Sequence, residues 1–136
     1  MFLNLLNNEE KRIFLKLAIA VVQADGKLEE SEKQYIAEYA RETGLSDYDL
    51  DTKFEPLPLA KKIGSDSAES VKRIFLLELT ACAKADGNFA ETEKSLINSF
   101  VKAFGLNDES LQKCNQLLEE YTKVSAKLMS FIQEEK

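Results

Sequence analysis

The sequence predicts an all-α fold of about six or seven helices, built as two pseudo-symmetric helical hairpins plus a long C-terminal helix. Three observations point there. The first is an internal repeat: "KRIFLKLAIAVVQADGKLEESEKQYI" from Lys11 returns as "KRIFLLELTACAKADGNFAETEKSLI" from Lys72, 61 residues later. The second is apolar spacing of three and four residues within each copy, the period of an amphipathic helix. The third is the scarcity of turn formers: five Gly and two Pro in 136 residues leave little material for the many tight turns of a β domain.

The elements follow in order. Ile13, Leu17, Ala20 and Ala24 form one row and Phe14, Ala18 and Val21 the next, so the first helix runs toward Asp25. Gly26 stands where a left-handed residue ends a helix. A second helix turns Tyr35, Ile36 and Tyr39 inward and stops at Gly44. "FEPLPLAKKIGSDS" reads as a bend and a short helix, with Asp66 as N-cap of the next long one. That helix repeats the first with Ile74, Ala81, Ala85 and Phe75, Leu79, Cys82; its partner repeats the second with Leu96, Ile97, Phe100 and ends at Gly105. Past Asn107 the apolar stripe of Leu111, Cys114, Leu117, Leu118, Tyr121, Val124, Leu128, Phe131 and Ile132 marks the final helix. Aligned without a gap, residues 11–50 and 72–111 are identical at 17 of 40 positions. Two copies are too few to stack as a solenoid, so residues 1–136 read as one domain.

Composition narrows the function classes. A net charge of -6 opposes the phosphate attraction that drives nucleic-acid binding, and it opposes docking on anionic lipid. Cations or basic proteins suit it better. The absence of His removes the usual general base, the Ser/His and Cys/His nucleophile pairs and imidazole-based zinc sites. Two Cys make no disulfide framework, and a reducing, cytoplasmic setting is the expectation. Residues 13–22 are apolar enough to suggest a signal peptide, but Glu9, Glu10 and Lys16 disrupt it and its counterpart recurs in mid-chain. No apolar run reaches the ~20 residues that span a bilayer.

The repeated polar feature is acidic: Asp25, Glu29, Glu30 and Glu32 in one copy, Asp86, Glu91 and Glu93 in the other. Two readings stay open. Asp before Gly is ordinary turn chemistry, and Glu32 and Glu93 sit where a capping-box glutamate reaches back to the helix start. Alternatively, if the hairpins pack face to face, the two corners supply the oxygens that Ca²⁺ or Mg²⁺ requires. An EF-hand is excluded by position, because its first two ligand sites would fall on Val21 and Gln23, or on Cys82 and Lys84. Glu78 replaces Leu17 on an apolar row, either at an exposed helix edge or as an inward carboxylate needing a partner. Cys82 and Cys114 read as packed thiols, the aromatic residues as core, and Lys11-Arg12 with Lys72-Arg73 as solvated helix starts that permit a partner-facing role.

"VVQADGKLEESEKQYI" and "CAKADGNFAETEKSLI" resemble the tellurite-resistance TerB-like family: an Ala-rich helix, an Ala-Asp-Gly corner, an apolar residue, then a Glu opening the next helix. The resemblance covers residues 11–111. It implies an internally duplicated all-helical domain, a link to tellurite resistance or stress responses, and metal binding by acidic residues. Carried over by position, that role falls on Asp25 and Asp86 with Glu32 and Glu93, and Ca²⁺ or Mg²⁺ is the implied ion. Glu29 and Ala90 depart from the family at the cap position, where Ser, Thr, Asp or Pro is usual. The expectation is a non-enzymatic module with an unidentified protein partner, no nucleic acid and no membrane span. The alternative is a protein-interaction scaffold whose acidic corners only cap helices. An enzyme using paired carboxylates is the third reading, and it requires two of them to converge in a pocket.

Overall fold

The computed structural model describes residues 2–24, 30–45, 55–84 and 91–134. Among them a 3-10 turn, Leu3–Leu5, precedes six helices: α1 Asn8–Val22, α2 Glu30–Thr43, α3 Pro56–Asp66, α4 Glu69–Lys84, α5 Glu91–Ala103 and α6 Asp108–Gln133. There is no strand among these residues.

Helix α1 starts three residues before the repeat does, because Asn7 and Glu10 form a capping box. The Asn7 N–H donates to Glu10 Oε1 at 2.8 Å and the Glu10 N–H donates to Asn7 Oδ1 at 2.8 Å, so two backbone donors of the helix start are satisfied. Asn107 caps α6 in the simpler way, accepting the Ser110 N–H at 3.0 Å. Asp66 is not the N-cap of α4: it is the last residue of α3, and Ala68 supplies the carbonyl that accepts the Lys72 N–H. The short connection leaves the Asp side chain two residues too early.

The two second helices end alike. Gly44 and Gly105 take φ of 77° and 75°, a region costly for any residue with a Cβ. Each reversal sends the next N–H back over the last turn, Leu45 to the Ala40 carbonyl at 2.9 Å and Leu106 to the Val101 carbonyl at 3.0 Å. The predicted corners at Gly26 and Gly87 lie outside the described residues.

The repeat explains the core. α1 packs on α4, and each packs on the helix that follows it in its own copy. The Phe of each "KRIFL" meets the other, with Phe14 and Phe75 edge to face at 5.7 Å, as equivalent residues flanking a twofold would. Tyr39 extends this stack from Phe14 at 5.2 Å, and Phe104 from Phe75 at 5.9 Å. Such aromatic pairs contribute about 0.5–1.5 kcal/mol beyond the area they bury. Phe14, Leu17, Phe75, Leu79, Phe100 and Phe104 are fully buried.

The third helices are not equivalent. α3 lies in contact with α1 and α5, so close that a Cβ on Gly64 would stand 2.2 Å from the Ala103 carbonyl oxygen. Its counterpart α6 packs on α4, but a groove of about 860 Å³ separates it from α2. Only the first part of the α6 stripe faces the core, through Leu111 and Cys114. Tyr121 and Phe131 are exposed, the latter at 74 %, which corrects the expectation that every aromatic residue belongs to the interior.

Candidate functional site

The motif E-x-E-K divides between surface and interior. Glu30 and Glu91 point outward, each beside the Lys three residues on, with Lys33 Nζ at 4.0 Å and Lys94 Nζ at 3.3 Å. The second Glu of each copy turns the other way: Glu32 is 7 % exposed and Glu93 is 4 % exposed. Helical geometry dictates this split, since residues two apart face nearly opposite sides of a helix. Both therefore lie in the first turn of their helices, α2 and α5, where the positive end of the helix dipole favours a carboxylate.

A third carboxylate joins them inside. Glu78 is 1 % exposed, so the inward reading of this residue is the correct one. Its Oε1 accepts the backbone N–H of Phe2 at 3.1 Å, which ties the N-terminal segment to the middle of α4. At the equivalent place in α1, Leu17 is merely apolar core.

These carboxylates share a neighbour in Cys82. Burial pushes its thiol up to about 12; a hydrogen bond from Tyr39 pulls the other way, and the charges of Glu93, Glu32 and Glu78 push it further up. The Tyr39 hydroxyl is itself raised, first by burial and then by Cys82 and Glu78. A thiol so held is neutral and a poor nucleophile at physiological pH, consistent with a packed cysteine. Cys114 is also raised by burial, less deeply placed and eased by Arg73.

The charges of Glu32 and Glu93, one from each copy, thus both act on the same thiol. Asp25 and Asp86 lie outside the described residues. Among the described residues, no group of three or more His, Cys, Asp or Glu is arranged to hold a metal ion. Two carboxylates fall short of the six to eight oxygens that Ca²⁺ takes, so a cation here needs the two Asp of the corners or their carbonyls. Glu78 and Tyr39 were missed as members of this cluster. The signal for Glu78 was present in the sequence, a charge on a row that is otherwise apolar. For Tyr39 there was none, because its hydrogen bond to Cys82 crosses from one copy to the other.

The groove beside α6 opens next to this cluster. Glu78 and Tyr39 reach its floor, Glu38 and Glu42 its α2 wall, and Leu118 and Tyr121 its α6 wall. No helix among the described residues is long and apolar enough to cross a membrane.

A duplicated all-helical domain, with a glutamate of each copy turned into the interior, is the class of protein that this fold and site define. The same fold occurs in a tellurite resistance protein from Nostoc punctiforme PCC 73102, whose crystal structure superposes with a TM-score of 0.69 over 96 % of this chain and 84 % of that one. The two are 21 % identical, so the likeness is one of fold, and at that level it bears out the TerB-like resemblance of the two Ala-Asp-Gly corners. Neither the protein-family models nor the curated protein sequences give a match.

Proposed function

We propose that the chain is a non-enzymatic TerB-like module that takes up a divalent cation at its acidic corners, in the service of tellurite resistance or a related stress response. The observation that carries the reading is the burial of Glu32 and Glu93. Glu10, a glutamate that does cap its helix from the third position, stays half exposed with its carboxylate at the surface. Glu32 and Glu93 occupy the same third position of α2 and α5, yet they are buried. Each copy thus turns a carboxylate inward at the same place, next to its acidic corner, and hard cations take carboxylate oxygens of this kind. Ca²⁺ or Mg²⁺ would be held by Glu32 and Glu93 together with Asp25 and Asp86. The fold shared with a tellurite resistance protein supports the assignment of class.

Thermal unfolding with and without cation tests it. Millimolar Ca²⁺, Mg²⁺ or Mn²⁺ raises the melting temperature of the wild type relative to chelator, and Asp25→Ala with Asp86→Ala removes the increase. An unchanged melting temperature at millimolar cation would refute the cation reading.

The second reading is a protein-interaction domain with purely structural acidic corners. A specific observation favours it: the far half of α6 offers a continuous apolar surface that no element of the described residues covers. Partner binding that ignores chelator and survives the double Asp substitution would support it over the first.

A further inference from the structure

The uncovered face of α6 has a regular spacing. Leu117, Tyr121, Val124, Leu128 and Phe131 follow one another at intervals of four, three, four and three residues, the a/d pattern of a two-stranded coiled coil. All are about half exposed or more. From Leu117 to Phe131 the stripe runs about 21 Å at 1.5 Å per residue. Contiguous apolar surface of this kind marks an interaction site.

The charges beside the stripe specify the partner. With Tyr121 and Leu128 as the a positions, the g positions of the helix are Lys113, Glu120 and Lys127, exposed and alternating in sign every seven residues. The e positions Leu118, Ser125 and Ile132 carry no charge. In a parallel pair g faces e, and no ion pair forms. In an antiparallel pair g faces g, and packing Tyr121 against Val124 of a second copy brings Glu120 opposite its Lys127. The same register sets Leu117 against Leu128. An alternating edge is complementary to itself only when reversed, and charges flanking a seam choose orientation and partner.

We propose that α6 is the dimer interface of this protein, pairing antiparallel with α6 of a second copy about a twofold near residues 122–123. The pairing is isologous and closes on itself. It also buries the exposed aromatic residues Tyr121 and Phe131, the kind of residue that anchors interfaces. It is independent of the cation reading, and chelator leaves it unchanged.

Sedimentation equilibrium of the full chain tests it, with circular dichroism as the control for folding. The wild type passes from monomer to dimer as its concentration is raised to about 200 μM, an affinity reasonable for a short seam. Leu128→Asp, at an exposed position, keeps the helical signal and gives a monomer. Glu120→Lys sets like charges together twice per dimer and weakens the dimer about tenfold. Adding Lys127→Glu to it restores opposite signs, and the wild-type affinity returns. A monomeric wild type over this range, or a dimer that survives Leu128→Asp, overturns the interface. A double charge reversal as weak as Glu120→Lys alone overturns the antiparallel register.

Discussion

Replacing Gly64 by Ala sets two opposing effects against each other within one helix. Intrinsic propensity favours the change by about 1 kcal/mol, because Ala loses less backbone entropy than Gly inside a helix. Packing opposes it. The added Cβ would lie 2.2 Å from the Ala103 carbonyl oxygen and 3.2 Å from both the Ala103 carbonyl carbon and Phe104 Cα. Contacts under 3.0 Å essentially never occur, so α3 must withdraw from α5 by at least 0.8 Å (3.0 less 2.2). The obstructing atoms are backbone and cannot rotate away. Withdrawal also loosens Ile63 and Ala60, both buried on α3. Overpacking of a close-packed interior costs about 1–3 kcal/mol, and a backbone obstacle belongs at the upper end. The net expectation is a loss of about 1–2 kcal/mol, a fall in melting temperature of roughly 3–10 °C for a domain of this length. Thermal unfolding followed at 222 nm measures it. A Gly64→Ala variant as stable as the wild type, or more so, would show that propensity dominates and that the helices are not in contact as described.

Two further predictions concern the interior of α4. The Thr80 hydroxyl is buried without a hydrogen-bond partner among the described residues, and Ile19 holds the equivalent place in α1. Thr80→Val therefore stabilises by about 1 kcal/mol, since an unmatched buried hydroxyl costs about that or more; a lowered urea midpoint would count against the orphaned hydroxyl. Cys82, raised to about 12 from an ordinary value of 9.0, favours folding while the thiol is protonated. Its contribution is complete below pH 9 and is lost as pH rises toward 12. Tyr39 is raised as well, with the same sign. Cys82→Val, which copies the Val21 of the other repeat, loses the Tyr39 hydrogen bond and about 1 kcal/mol at pH 7. Between pH 9 and 10.5 its urea midpoint falls less than that of the wild type. Equal falls would mean that Cys82 does not drive the alkaline loss.

Much of the architecture was legible because it rests on local rules. Helical periodicity located α1, α2, α4 and α5, and the glycine ends at Gly44 and Gly105 appear where a left-handed residue was needed. The start of α1 was legible too, as Asn-x-x-Glu before an apolar run, although the repeat boundary drew attention to Lys11 instead. Asp66 misled because it has a good cap side chain, whereas α3 itself runs on to Asp66 and the first carbonyl of the next helix is that of Ala68. The candidate site was legible in part: Glu32 and Glu93 were named, but a capping role and a buried role look identical in one dimension. Glu78 was ambiguous for the same reason. Whether a helix edge faces solvent depends on which neighbour lies across from it.

By itself the sequence determined the helices, the glycine ends of α2 and α5 and the duplication, because hydrophobic period and glycine conformations act within a few residues. It also determined the alternation of charge along α6, which follows from spacing alone. Only the tertiary structure decided that Phe14 meets Phe75, that Glu32, Glu93 and Glu78 are buried, and that α3 closes on α5 while α6 stands away from α2. Those are relations between residues far apart in the chain. They depend on how much space the side chains between two helices occupy, and at Gly64 that space is nearly none.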